Sequence, residues 1–290
     1  LICKERVMQS VESPSVKASI KSIINNKPIL LMTLSQILGS FAVGGSKQDY
    51  YIDVLNFASL GLITGIPGAI INPFSYMAVP WFRRHFSSRF LYIIGNKIDG
   101  ILLVPVFLVG CIGGKKHGLY KNIWVMGIAM MLWETIFMIF YGVRRIIPTE
   151  MYNEAMDYCE WKNGYRTEGM TSVAQGLASK LASIFSRYIS NYIKQLIGYD
   201  LTRYVRGTAQ TDETKFGLFA MFTIVPFLTG MISIIPMLFY DLSGKKKEKM
   251  YEELLERRAA MSKEATSGDL EALERLAKAQ MEIGNMKQEL

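Results

Sequence analysis

The sequence predicts an all-α membrane protein with six transmembrane helices followed by a helical cytoplasmic tail. Three uncharged runs carry this prediction: Pro28 to Ser46 with 19 residues, Val54 to Phe82 with 29, and Phe216 to Tyr240 with 25. A helix needs about 20 apolar residues to cross the hydrocarbon core of a bilayer. Because the chain holds three such runs, an ordinary soluble globule is excluded.

The elements follow in order from the charges and the helix signals. Residues 1–27 are polar and basic, which indicates a cytoplasmic linker. Pro28 suits the first turn of a helix, where the N–H that it lacks would have no partner anyway. The six predicted spans are 28–51, 57–80, 90–112, 122–143, 169–197 and 216–240. Between the fourth and fifth spans, the residues from Arg144 to Glu168 are expected to form a long loop.

The region 241–290 is charged and predicts a cytoplasmic tail. Ser267 precedes apolar residues at helical spacing, namely Leu270, Leu273, Leu276 and Ala277. This pattern is typical of a capped amphipathic helix that docks on the cytoplasmic face or on lipid headgroups. A solvated tail is the alternative.

Lysine and arginine are unevenly distributed between alternate connecting segments. The chain has 33 of these bases against 25 acids, a formal net charge of +8. Connecting segments on the same side of the membrane as the N-terminus hold more than twice as many lysines and arginines as those on the opposite side. Since such bases remain in the cytoplasm, both termini are predicted to lie inside the cell, in a multi-pass protein of the cell (plasma) membrane. The excess is therefore not read as a sign of a nucleic-acid partner.

The usual signals of catalysis and of cofactor binding are missing from the sequence. Cys3, Cys111 and Cys159 form no C-x-x-C motif and predict neither a disulfide framework nor a metal site. No glycine-rich phosphate loop and no nucleophile constellation occurs. We therefore expect no cofactor, no metal centre and no enzymatic activity.

Three ionisable residues interrupt the third, fourth and fifth spans at similar depth. Asp99 lies ten residues after Arg89, Glu134 ten before Arg144, and Lys180 twelve after Glu168. At about 1.5 Å per residue, these offsets place all three about 15–18 Å from the cytoplasmic edge. A charge at that depth costs about 3 kcal/mol or more, so the three residues are candidates for a substrate or cation pathway.

The fifth span carries a polar face around Lys180. At 100° per residue, Ser179, Lys180, Ser183 and Arg187 share one arc of the helix. This face predicts the wall of an aqueous path, or else serines that bond between helices around a paired lysine. To stay charged, Lys180 needs a carboxylate from Asp99, from Glu134 or from outside this chain. Trp133 could stack on a sugar ring or simply pack.

The expected loop after the fourth span alternates acids and bases. Its charges include Asp157, Glu160, Arg166 and Glu168. Such a segment predicts a cytoplasmic gate whose ion pairs open and close as helices move. A solvated connector is the alternative.

The pattern Asp157-Tyr-x-Glu160-x-x-x-Gly164-x-Arg166-x-Glu168-Gly169, followed by Lys180, resembles the glycoside–pentoside–hexuronide:cation symporters of the major facilitator superfamily. The Pro80 to Arg84 segment, taken as a loop, fits the same family. The resemblance implies that the spans are helices seven to twelve of a twelve-helix carrier. It also implies that Lys180 lies near the cation and sugar sites and that Asp157 and Arg166 help to gate and couple transport.

The family's cation-binding aspartates lie in the first six helices, which this sequence does not contain. The chain begins with Leu1 rather than Met and is expected to be a fragment. The resemblance thus implies symport of a sugar or glycoside with Na+ or H+, by alternating access. The expected partners are the substrate, the cation, membrane lipid and a missing N-terminal six-helix half. The alternatives are a carrier of a non-sugar solute such as a lipid, and a non-transporting sensor or scaffold.

Overall fold

The computed structural model describes residues 24–164, 166, 168–200, 202, 209–267 and 275. In this part of the chain all regular secondary structure is helical, as the sequence predicts. The long helices are α1 (Lys27–Ser40), α2 (Leu60–His85), α3 (Ser88–Gly110), α4 (Ile123–Ile139), α5 (Tyr141–Asn163), α6 (Glu168–Leu196), α7 (Asp212–Gly230) and α8 (Lys245–Ser267). Most of the predicted linker, and the apolar tail positions from Leu270 onward, lie outside the described residues.

Four helical stretches are long and apolar enough to cross a membrane. They are Leu60–His85, Ser88–Gly110, Ile123–Asn163 and Asp212–Leu238. The first and fifth predicted spans are not among them. Helix α1 has only 14 residues, and α6 is interrupted by serines and bases. The described residues therefore establish an all-α protein with four candidate spans.

Three expectations about local structure are wrong. The segment expected as a loop from Arg144 is largely helical, because α5 continues to Asn163 and α6 begins at Glu168. Helix α2 likewise continues through Pro80 to His85, so the residues from Pro80 to Arg84 are not a loop. The first span is not one helix, since α1 stops at Ser40. Dense charge does not end a helix when the residues themselves are good helix formers.

The described residues belong to two compact units. The smaller unit consists of the described residues within Leu1–Leu34, Glu150–Leu177 and Phe239–Leu290, and the larger of those within Ser35–Thr149 and Ala178–Leu238. The larger unit has an aromatic core, in which Tyr50 and Phe219 are fully buried. The Tyr50 hydroxyl donates to the Tyr120 carbonyl at 2.7 Å, which satisfies the one polar atom of that ring.

Helices α2 and α5 cross closely at Gly142. Its N–H donates to Ser75 Oγ at 3.0 Å. A β-carbon at Gly142 would lie 2.6 Å from the Ser75 carbonyl oxygen and 2.9 Å from Tyr76 Cα. Both are backbone atoms that cannot turn aside, so only glycine permits this approach.

We expect Gly142→Ala to lower the stability of the protein by about 1–3 kcal/mol, the usual cost of overpacking. Thermal unfolding in detergent measures the change. Gly127→Ala is the matched control, because its β-carbon would meet only a Leu60 methyl group at 3.6 Å. Equal melting temperatures for the two variants would contradict the close crossing.

Candidate functional site

A helix break at residues 41–46 separates α1 from a short helical segment that begins at Lys47. Ser46 caps that segment, since its hydroxyl accepts the Gln48 N–H at 3.1 Å. A β-carbon on Gly44 would lie 2.6 Å from Pro226 Cγ, so glycine is needed for this approach to α7. Paired glycines followed by a capping serine are the signal in the sequence that could have revealed the break.

Serines of α6 satisfy the backbone that the break leaves without helical partners. Ser186 Oγ donates to the Ala42 carbonyl at 2.6 Å. The Gly44 N–H donates to Ser190 Oγ at 3.2 Å. Broken helices are stable in a bilayer only where other groups bond to the freed backbone. Part of the polar face of α6 therefore has a structural role, because its serines bond to the backbone of the break. Broken helices of this kind also form binding sites in transporters.

A cavity of about 450 Å³ lies beside the break. We call it the break cavity. Its polar lining comes from Ser46, Ser186, Ser190, Arg187, Asn191 and Lys194. Lys194 forms an ion pair with Asp49 at 2.5 Å. The break cavity thus combines hydroxyl, amide and guanidinium groups, which suit a hydroxylated ligand.

Glu134 lies in a cluster of polar and aromatic side chains next to the aromatic core. Its Oε2 lies 2.8 Å from Lys47 Nζ and accepts the Thr64 hydroxyl at 3.2 Å. The same ammonium lies 5.6 Å from the centre of the Tyr51 ring and 5.7 Å from that of Trp133. Carboxylate and aromatic faces together stabilise the ammonium in this partly buried place. The sequence did not point to Lys47 as the partner of Glu134.

Asp99 also has a partner that the sequence did not indicate. Its Oδ2 lies 3.4 Å from Arg144 Nη1. Trp133 donates its indole N–H to the Asp99 carbonyl at 3.0 Å and stacks on Phe137, with ring centres 6.3 Å apart. Trp133 thus contacts the backbone of α3 and a neighbouring ring of its own helix. Lys97, two residues before Asp99 on the same helix, donates to the Gly230 carbonyl at 2.6 Å.

Lys180 is exposed on α6. Its carbonyl accepts the Ser183 hydroxyl at 2.8 Å, while Ser179 Oγ is buried without a hydrogen-bond partner among the described residues. Neither Asp99 nor Glu134 pairs with Lys180, because each is bonded to another base. The structure thus does not join the three charged residues predicted at one depth into a single group.

The four charged residues predicted as a gate do lie together, in the smaller unit. Arg166 Nη1 lies 2.9 Å from Asp157 and 3.5 Å from Glu160, and the Arg166 guanidinium also pairs with Glu168. Asp157, Glu160 and Arg166 are each no more than 15% exposed at the side chain. We call these four residues the gate cluster. Charge-assisted hydrogen bonds of this kind are stronger than neutral ones.

A second guanidinium, from α8, binds the same two acids. Arg258 Nη2 lies 2.8 Å from Asp157 Oδ1 and 2.5 Å from Glu160 Oε2. The hydrogen bonds to Glu160, and then those to Asp157, raise the pKa of Arg258 above its ordinary value against the opposing effect of burial. Arg258 could not be identified from the sequence, because charge alone does not show which acid a base will contact.

Apolar and polar contacts hold α8 against α5. Met250, Leu254 and Met261 are buried along α8. Trp161 donates its indole N–H to Glu253 at 2.7 Å. The three buried residues recur at helical spacing, so α8 presents one apolar face to the smaller unit. The described part of the tail is therefore packed, not solvated.

Burial raises the pKa of Tyr251 to about 12, with further contributions from Asp157 and Glu154. Tyr251 therefore remains neutral, and its hydroxyl donates to Asp157 Oδ2 at 3.4 Å. Lys247 pairs with Glu154 at 2.5 Å. The acids of α5 thus meet donors from α8 at three positions, which extends the gate cluster into the tail.

Membrane-length helices with ion pairs held between them define a multi-pass membrane protein. Residues 2–244 match the model of the family described as MFS/sugar transport protein. The chain belongs to this family. The resemblance noted in the gate motif is thereby confirmed, and a transporter family agrees with the expectation that the chain is not an enzyme.

Three curated relatives illustrate the similarity. The glucuronide carrier protein homolog of Escherichia coli K12 is 23% identical over 258 residues, covering 87% of this chain and 52% of the relative. The putative sulfoquinovose importer of the same strain is 25% identical over 260 residues, with coverages of 84% and 49%. The isoprimeverose transporter of Lactiplantibacillus pentosus is 25% identical over 260 residues, with coverages of 88% and 50%. The chain spans about half the length of these relatives.

Proposed function

We propose that this chain is the C-terminal half of a symporter that moves a sugar or glycoside with Na+ or H+ by alternating access. The observation that carries the proposal is the match of residues 2–244, which include the whole proposed membrane region, to the sugar transport family. The relatives named above are called carriers or importers of sugar compounds, which favours a sugar over a lipid and transport over sensing.

In the proposed arrangement, residues 28–240 form six spans in the plasma membrane. Residues 1–27 and 241–290 lie in the cytoplasm as linker and tail. A six-helix N-terminal half completes the carrier and supplies most of the cation site. Substrate then binds between the two halves, as in other carriers built from repeats. The charge distribution and the half-length match to the relatives support this arrangement.

The polar face of α6 is proposed to line the path, with Lys180, Ser179 and Ser183 toward substrate and cation. Lys180 is exposed and Asp99 and Glu134 are bonded elsewhere, which favours an acid of the missing half as its partner. Asp99, Glu134 and Trp133 then stabilise the helices that form the wall of the path. Asp157, Glu160, Arg166 and Glu168 form the cytoplasmic gate.

Replacement of Lys180 by glutamine tests this function in the complete transporter. If the ammonium competes with the cation for an acid, its loss uncouples sugar movement from the ion gradient. We expect sugar accumulation to fall about tenfold or more, since coupling free energies are typically about 1–3 kcal/mol. Proteoliposomes with imposed Na+ or H+ gradients measure accumulation, and equilibrium sugar binding with and without the ion is measured separately.

Lys116→Gln is the control, because Lys116 is an exposed lysine of the short helix Gly114–His117. It is expected to leave both readouts unchanged. Normal accumulation with normal ion stimulation in Lys180→Gln would contradict the proposed role of Lys180. Absence of any ion-driven sugar uptake by the unmodified carrier would contradict the proposed function itself.

A further inference from the structure

We propose that the turn between α2 and α3 binds the headgroup of an anionic phospholipid, such as phosphatidylglycerol. The surface around this turn, which we call the basic corner, consists of Trp81, Arg84, His85, Phe86, Arg89 and Phe90. It contains none of the residues assigned above to the sugar path or to the gate cluster. A lipid ligand at this surface is therefore independent of the transported solute.

The basic corner lies where two membrane-length helices end. Helix α2 ends at His85 and α3 begins at Ser88, so only Phe86 and Ser87 connect them. Both helices are among the four candidate spans. Ser87 caps α3, because its hydroxyl accepts the Phe90 N–H at 3.3 Å, and this bond keeps the turn tight. Side chains at the end of a spanning helix lie at the level of the lipid headgroups.

Aromatic rings form the apolar part of the basic corner. Trp81, Phe86 and Phe90 are exposed over 55%, 41% and 48% of their surface. The ring centres of Trp81 and His85 lie 4.5 Å apart, and those of Phe86 and Phe90 lie 5.2 Å apart. His85 Nδ1 donates to the Trp81 carbonyl at 2.8 Å, which holds the two rings together. Exposed rings at a helix end are typical of the boundary between hydrocarbon and headgroups.

The charged part of the basic corner has only one sign. From Val54 to Ile98 the sequence contains no aspartate and no glutamate. Arg84 and Arg89 are exposed, and neither forms an ion pair within the described part of the chain. Arg89 Nη1 donates to the Leu238 carbonyl at 3.1 Å, which uses one of its five N–H donors. The two guanidinium groups therefore have donors left for a phosphate, which they match in pairs of parallel hydrogen bonds.

The combination of rings and bases favours a lipid over a soluble anion. A free phosphate would bind to the guanidinium groups alone and would leave the exposed rings in contact with water. A phospholipid contacts both parts, because its phosphate faces the bases while its glycerol and upper acyl chains lie against the rings. An acidic protein segment matches the charge, but the rings lie at the ends of membrane-length helices, where lipid is the neighbour.

The test counts phospholipids bound to the complete transporter in detergent, by native mass spectrometry. Phosphatidylglycerol and phosphatidylcholine with the same acyl chains are titrated separately. We expect the unmodified carrier to bind phosphatidylglycerol more tightly by about tenfold or more, because basic side chains attract anionic headgroups. Arg84→Gln/Arg89→Gln should remove most of this preference. Arg84→Gln alone, which breaks no described hydrogen bond, should reduce it by about threefold. Trp81→Ala should weaken binding of both lipids, since the ring contacts the part that they share.

Lys115→Gln/Lys116→Gln is the matched control, because it removes the same charge from the connection at the other end of α3. A melting curve of each variant shows that it is folded. Equal affinity of the unmodified carrier for the two lipids would overturn the proposal, as would an undiminished preference in folded Arg84→Gln. An equal loss in the control would show diffuse attraction to the overall charge and would also overturn it. Inorganic phosphate that displaces phosphatidylglycerol at the same concentration would instead indicate a site for a free anion.

Discussion

Replacement of Arg166 by alanine in the complete transporter is expected to slow sugar flux about tenfold or more while sugar affinity changes little. Arg166 holds Asp157 at 2.9 Å and Glu160 at 3.5 Å, and pairs with Glu168 as well. A gate acts on the interconversion of the two states and not on the substrate itself. Hydrogen bonds to charged groups contribute about 1.5–3 kcal/mol each, which is enough to change a rate tenfold.

The effect on the gate should depend on the second guanidinium. With Arg166 removed, Arg258 still pairs with Asp157 and Glu160, so the two acids keep one base. The double variant Arg166→Ala/Arg258→Ala leaves both acids without a base from the gate cluster or from α8. Its loss should exceed the sum of the single losses, because the two sites share partners.

Flux is measured by sugar counterflow and affinity by equilibrium binding, on the same preparations. Arg257→Ala is the matched control, since Arg257 neighbours Arg258 but interacts with Glu253 and the Trp161 carbonyl instead. An unchanged counterflow rate in Arg166→Ala would contradict the gate and would favour the alternative, in which this segment is only a connector between helices. Equal losses in affinity and flux would place Arg166 in substrate binding.

Glu134→Gln is expected to lower stability by about 2–4 kcal/mol, since removing one partner leaves an uncompensated charge. The Lys47 ammonium would then lose its anionic partner, while the rings of Tyr51 and Trp133 remain beside it. The expected loss is below that of a fully buried pair, because the Lys47 side chain is 30% exposed and that of Glu134 15%. Thermal unfolding in detergent gives the change.

The double variant Lys47→Met/Glu134→Gln should recover most of this stability, because it leaves no charge in the cluster. Asp212→Asn is the comparison, since the pair of Lys121 and Asp212 has a side-chain exposure of 51% at the acid. Exposed pairs contribute about 0–1 kcal/mol. If Glu134→Gln and Asp212→Asn cost the same, the Glu134 cluster is not a buried charge network.

The helical class and the membrane location could be derived from the sequence because both depend on local patterns. Two of the three long uncharged runs, 54–82 and 216–240, overlap helices that are long enough to span a membrane, while the run 28–46 does not. The gate motif could also be located, because its charges lie close together in the chain, from Asp157 to Glu168. Its interpretation as a loop was wrong, since α5 continues to Asn163. Charge content describes polarity and not backbone conformation.

The candidate site shows where local patterns stop being informative. Counting residues predicts the depths of Asp99, Glu134 and Lys180 in the membrane. It does not predict which side chains pair with them. Glu134 meets Lys47, which is 87 residues away in the chain, and Asp99 meets Arg144. An ion pair depends on which helix faces which, and residue spacing within one helix does not contain that information.

The sequence by itself therefore determined the all-α class, four of the six predicted spans, the family motif and the polar face of α6. Only the tertiary structure decided that α1 stops at Ser40, that serines of α6 bond to the broken backbone, and that Arg258 of the tail shares the acids of the gate cluster. The physical reason is the range of the interactions. Hydrophobic periodicity and helix propensity act between residues a few positions apart, whereas hydrogen bonds and ion pairs between helices depend on packing. Such packing joins residues as distant as Gly44 and Ser190.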